Sequence, residues 1–90
     1  MKSRLTEEFV AAFGRLPDRI KKLARKNYRL WSKNPSHPSL DFKRVGKKSA
    51  VYSVRVGIGW RALGLMHNDT IVWFWIGSHA EYDSILRRIH

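Results

Sequence analysis

An α+β fold is predicted, with two N-terminal helices packed on a mainly antiparallel four-stranded sheet and a short C-terminal helix. Three observations predict it. Residues 51–77, VYSVRVGIGWRALGLMHNDTIVWFWIG, hold three strand-like runs back to back. Residues 6–33 hold two helical patterns with start and stop signals. The connections between the strand runs are only two or three residues long, which makes neighbouring strands antiparallel. Ninety residues with 43% hydrophobic content and four Trp are read as one packed domain, 1–90.

Lys2 to Leu5 is a candidate short edge strand. Thr6 is placed as the N-cap of the first helix, with Glu7 and Glu8 in the first turn, where the helix dipole favours carboxylates. Phe9, Val10 and Phe13 form its apolar stripe, and Gly14 ends it. Pro17 suits the first turn of the second helix. Ile20, Leu23, Ala24, Tyr28 and Trp31 then recur at helical spacing, while Lys21, Lys22, Arg25, Lys26, Arg29 and Lys33 occupy much of the remaining surface. A solvated face is the commonest meaning of such a charge run, followed by a phosphate-binding face. Asn34-Pro35-Ser36-His37-Pro38 stops the helix as a rigid loop.

Ser39 to Val45 is read as the first strand of the sheet, leading to the basic turn Gly46-Lys47-Lys48-Ser49, which lacks the frame of a phosphate-binding P-loop. In Val51 to Val56, Tyr52, Val54 and Val56 share one face, with Ser53 and Arg55 on the other. Gly57-Ile58-Gly59 makes the first reversal, and Asn68-Asp69 makes the second because both residues tolerate positive φ. Thr70 to Ile76, β-branched and aromatic, is the last strand. Ser78 and Glu81 have capping-box spacing and open a C-terminal helix with Ile85 and Leu86 on its apolar side.

Eighteen Lys and Arg against seven Asp and Glu leave a formal net charge of +11. On so small a domain that is a strong positive field, and the expected partners are polyanions: RNA, DNA, an acidic lipid surface or an acidic protein segment. The longest apolar run, Thr70 to Gly77, is far too short to span a bilayer. The first residues, MKSRLTEEF, contain no secretory apolar region, so a cytoplasmic location is expected; the lack of cysteine fits a reducing compartment. His37, His67, His79 and His90 are scattered without metal-ligand spacing, so no metal or other cofactor is expected.

One constellation carries chemistry. Arg55 and Arg61 flank the first reversal, His79 falls just past the last strand, and Tyr82 is one helical turn further. Such a set suits phosphodiester chemistry on RNA. The ribose 2′-hydroxyl attacks the adjacent phosphate, guanidinium groups compensate the dianionic transition state, and imidazole moves a proton near neutral pH. Tyr52, Trp60 or Tyr82 is a candidate to stack on a splayed base. The same residues also have bland readings: surface charges, a helix-start histidine and a core tyrosine.

Three stretches, HPSLDFKRV at 37–45, YSVRVGIGWRALG at 52–64 and IVWFWIGSHAEYDSIL at 71–86, together resemble the RelE/ParE toxin superfamily of bacterial toxin–antitoxin systems. They cover roughly half the chain. The resemblance implies a RelE-like microdomain neutralised by an acidic antitoxin that wraps it. RelE-like members cut mRNA in the ribosomal A site, whereas ParE-like members poison DNA gyrase. It further implies that Arg55 and Arg61 are the basic positions of the sheet, with Arg61 holding the scissile phosphate, and that His79 stands at a rim position where members carry Arg or His. Tyr82 stands near the family's C-terminal tyrosine, with Ile85 the closer match in alignment, which leaves the general base open. Ser53 replaces a second lysine of some RelE-like chains, and Lys43 is the candidate to compensate. The leading expectation is therefore a metal-independent mRNA endoribonuclease acting on the ribosome, with no membrane partner and with DNA reached only through the toxin–antitoxin complex. The alternatives are a gyrase poison and a non-catalytic RNA- or antitoxin-binding protein of the same fold.

Overall fold

The computed structural model describes residues 1–89; His90, one of the scattered histidines, lies outside the described residues. In chain order the elements are β1 (Lys2–Leu5), α1 (Glu7–Gly14), α2 (Asp18–Lys33), β2 (Lys43–Arg44), β3 (Val51–Gly57), β4 (Trp60–His67), β5 (Thr70–Ser78) and α3 (His79–Ile89), with a 3₁₀ turn at Pro38–Leu40. The helix signals hold locally. Thr6 Oγ1 accepts from the Phe9 backbone N–H at 3.1 Å, and α2 ends in a basic turn at Lys33.

The sheet has five strands in the order β1-β5-β4-β3-β2, not four. The added strand is β1, which lies parallel to β5 with Lys2 opposite Thr70 and Leu5 opposite Trp73. KSRL shows no apolar alternation; backbone pairing to β5 recruits it, with Ser3 Oγ bonded to the Tyr28 hydroxyl and Lys2 Nζ 3.7 Å from Asp69 Oδ2. Thr6 N–H continues the ladder by donating to the Trp73 carbonyl at 3.0 Å, which aims the chain directly into α1. The strand expected over Ser39–Val45 is also corrected. Pro38 opens a 3₁₀ turn, and Asp41 adopts φ 43°, in the left-handed region, so only Lys43–Arg44 remain extended against Tyr52 and Ser53.

Two bulges decide which side chains face which layer. Between β4 and β5 the register passes from Leu63↔Trp75 to Gly64↔Trp73, leaving Phe74 as the extra residue. Trp73 and Trp75, two apart, would share a face in a regular strand. The bulge sends Trp73 into the core beneath α1 and α2 and Trp75 toward α3. The main core joins Leu16, Ile20, Trp31, Leu40, Val54, Val56, Ala62, Ile71, Trp73 and Ile76. At its centre Trp31 packs edge-on against Trp73 at 5.3 Å and Phe42 at 5.7 Å between centroids. A smaller cluster of Val51, Leu63 and Tyr82, with Trp75, Ile85 and Leu86, holds α3 on the opposite face.

Candidate functional site

The register places Arg55 directly opposite Arg61, and Arg61 directly opposite Gly77. Opposed residues of an antiparallel pair project to the same face. Both guanidinium groups therefore rise from the α3 side of the sheet, in one row about 10 Å long across β3, β4 and β5. Their environments differ sharply. Arg55 is exposed and makes no ion pair among the described residues.

Arg61 retains only 6% of its accessible surface, and each of its guanidinium nitrogens is engaged. Nε donates to Ser53 Oγ at 2.6 Å, Nη1 to Asp41 Oδ2 at 3.3 Å and Nη2 to the Asp41 carbonyl at 2.9 Å. Asp41 offers both its side chain and its main chain to Arg61, and its left-handed backbone follows the 3₁₀ turn at this point. Arg61, expected to hold the scissile phosphate directly, is thus a buried internal contact in this conformation.

Lys43 Nζ also reaches Asp41 Oδ2, at 3.3 Å. Burial pushes the Asp41 carboxyl upward in pKa, but the Lys43 hydrogen bond and charge, with the charges of Arg61 and Arg55, outweigh this and hold it below the ordinary carboxylate value. One carboxylate serves three cations, so the corner stays net positive.

β5 passes into α3 without a loop. Glu81 N–H donates to Ser78 Oγ at 3.3 Å, and Ser78 Oγ in turn donates to Glu81 Oε1 at 3.1 Å. The His79 backbone N–H donates to the Gly59 carbonyl at 2.8 Å, which pins the first residue of α3 to the β3–β4 turn. The His79 side chain is 56% exposed, with Nε2 3.5 Å from Asp83 Oδ1. Tyr82 is buried at 4%. Its ring lies 5.3 Å from the Arg61 guanidinium carbon and 5.5 Å from the His79 ring, so it links the buried arginine to the exposed imidazole.

Two expected base-stacking residues lie on the other face. Tyr52 stacks on Phe42 at 5.1 Å, and both Tyr52 and Trp60 pack against the core beneath α1 and α2. The alternation of β3 puts Tyr52 opposite in sense to Arg55, and that of β4 puts Trp60 opposite in sense to Arg61. Tyr82 is closed to a base by its burial.

Arg55, Lys43 and His79 remain open to solvent, with Arg61 and Tyr82 behind them. Among the described residues, no three His, Asp or Glu side chains gather as a metal-binding group. Two contributors escaped sequence reasoning, Asp41 and Asp83, and Ser53, noted only as the replacement for a lysine, proves to be a partner of Arg61. Asp83 had a readable signal, being four residues after a histidine at a helix start. Asp41 had none, because it falls inside a run that reads as a strand.

A family model described as the ParE-like toxin domain matches residues 18–84, about three quarters of the chain. No curated protein sequence matches. Three solved structures share the fold. The RelB–RelE antitoxin–toxin complex from Methanococcus jannaschii contains a chain with TM-score 0.73 and 19% identity, covering 91% of this chain and 96% of that one. The archaeal RelE–RelB complex from Pyrococcus horikoshii OT3 gives TM-score 0.69 and 13% identity, over 87% and 93% of the two chains. A copper-bound mutant toxin from Helicobacter pylori gives TM-score 0.62 and 20% identity, over 90% and 97%. The shared architecture and the matched span lead to one assignment: this chain belongs to the ParE-like toxin domain family.

Proposed function

We propose that this chain is the toxin of a type II toxin–antitoxin pair, and that it cuts mRNA on the ribosome by attack of a ribose 2′-hydroxyl on the adjacent phosphate. One observation carries the reading. An exposed imidazole, fixed at its backbone, stands at the end of the row that bears Arg55 and Arg61.

His79 is the general base that takes the 2′-hydroxyl proton as the 2′-oxygen–phosphorus bond forms. The bond to the 5′-oxygen breaks, and that oxygen takes its proton from water, leaving a 2′,3′-cyclic phosphate and a 5′-hydroxyl. Arg55 and Lys43 supply the exposed positive charge that meets the phosphate. Arg61 and Tyr82, proposed from the sequence to act on the substrate, instead support the corner from behind. Arg61 adds its field, and Tyr82 backs the imidazole.

Primer extension on an mRNA bound to purified ribosomes tests this. Discrete cleavage by the wild type, abolished by His79→Ala and Arg55→Ala, is expected.

One observation favours a second reading, poisoning of DNA gyrase. The Arg61 guanidinium is fully occupied by Ser53 and Asp41 rather than open to a phosphate. Trapped gyrase–DNA breaks with intact mRNA would select that reading.

The antitoxin partner has its own support. α1 and α2 diverge over the sheet and leave an apolar groove of about 450 Å³. Leu5, Phe9, Val10 and Phe13 form one wall, Ala24 and Tyr28 the other, with Val54, Val56 and Trp73 beneath. Leu5, Val10 and Tyr28 are among the exposed large hydrophobic residues, at 53%, 56% and 45%. Arg25 and Arg29 line the same groove. An apolar trough flanked by cations suits an acidic amphipathic segment that folds as it binds.

A further inference from the structure

We infer that Asp83 is the positioning residue for His79, an inference that rests on the ribonuclease reading above. The backbone of His79 is tethered to Gly59, but its ring turns about free side-chain bonds, and general-base catalysis requires one tautomer in one orientation. The Asp83 carboxylate lies one helical turn later, with Oδ1 3.5 Å from His79 Nε2.

No other neighbouring group fills this role. Glu81, on the same helix, is occupied by Ser78. Tyr82 meets the ring side-on from a buried position. From the sheet, Arg61 stands behind Tyr82 and is held by Asp41, while Arg55 is a cation and no acceptor. The Asp83 carboxylate therefore faces Nε2–H and holds the proton on that nitrogen, leaves Nδ1 unprotonated toward the substrate, and balances the imidazolium that forms when Nδ1 accepts the 2′-hydroxyl proton. Asp83 itself carries no proton through the step.

The pair has the spacing of an ordinary helix contact, so the test separates orientation from stability. Single-turnover cleavage of ribosome-bound mRNA is measured for wild type, Asp83→Ala and Asp83→Glu, alongside the ring tautomer of His79 by nitrogen NMR in the free protein. Wild type is expected to show the Nε2–H tautomer and Asp83→Ala a mixture. The maximal rate of Asp83→Ala falls on the order of tenfold, as when an orienting partner is lost. The ribosome concentration giving half-maximal rate stays unchanged, and Asp83→Glu restores part of the rate.

If wild type cleaves and Asp83→Ala cleaves equally fast, the inference alone is overturned. A loss in Asp83→Ala matched by an equal loss in Asp83→Glu and by a lower melting temperature reduces the pair to a helix contact. If wild type leaves the mRNA intact, the ribonuclease reading fails and takes the inference with it, whatever the tautomer.

Discussion

The two faces of the sheet solve opposite problems. Beneath α1 and α2, Trp31, Trp73 and Phe42 interlock with Val54, Val56 and Ala62, and stability comes from apolar area and close packing. Under α3 the apolar cluster is small, and a charged residue, Arg61, is buried with a hydroxyl, a carboxylate and a carbonyl around it. Ion burial of that kind stabilises little in net terms, because desolvation offsets the attraction. It does place positive charge at a fixed point beside an exposed histidine. One face is held together by apolar packing, and the other keeps charge at a fixed place.

Arg55 and Arg61 make the contrast within a single cross-strand pair. They are the same residue type, directly opposed and on one face, yet one is exposed and the other closed in. Arg61 is closed in by Asp41, Ser53 and the Tyr82 ring.

Breaking the apolar face has the largest expected effect. Trp73→Ala removes a fully packed indole and should cost about 3–5 kcal/mol, read as the urea midpoint of the purified domain. A loss below about 1 kcal/mol would mean that the core is not the main source of stability.

Arg61→Ala comes next. It should cost about 2–3 kcal/mol, since Ser53 Oγ and the Asp41 carbonyl lose their donor in a buried setting. Arg55→Ala should stay within about 0.5 kcal/mol of wild type while still relieving growth arrest. This pair sharpens the comparison most, because Arg55 tests activity without disturbing the fold and Arg61 does not. Equal melting curves for the two variants would sink the distinction.

Leu5→Asp and Val10→Asp should leave melting nearly unchanged, because both side chains are more than half exposed, while weakening capture of the acidic antitoxin measured by calorimetry. Undiminished binding would remove the groove from the interface.

The smallest effect is the acid limb. Asp41 has a folded-state pKa below its ordinary value, so its contribution is present above that value and is lost as pH falls through the lowered one. Thermal melts from about pH 6 to about pH 3 should therefore decline more steeply in wild type than in Asp41→Asn. Identical slopes would show that Asp41 does not sense its three cations.

Much of the architecture was readable along the chain. The cap at Thr6, the amphipathic α2, the turn at Asn68 and the three long strands are local features, and the structure shows each of them. The candidate edge strand Lys2–Leu5 is also present, and pairing with β5 brings the sheet to five strands rather than four. Ser39–Val45 fails as a strand because Asp41 turns left-handed to meet Arg61. Tyr52 and Trp60 looked available to a base because both flank the arginines in sequence, and alternation sends them through the sheet to the other side. The positions of Arg55, Arg61 and His79 were legible, while Asp41 and Asp83 were not singled out and the bond from Arg61 to Ser53 was not foreseen.

The order of residues alone determined the net charge of +11, the helix boundaries and the alternation of β3, since these depend on composition and on neighbours a few positions away. Only the tertiary structure decided which arginine is buried and which tryptophan faces which layer. These depend on a left-handed residue packing against a strand twenty positions later and on a register shift. Burial is a property of what surrounds a side chain, and those surroundings are assembled from distant parts of the chain.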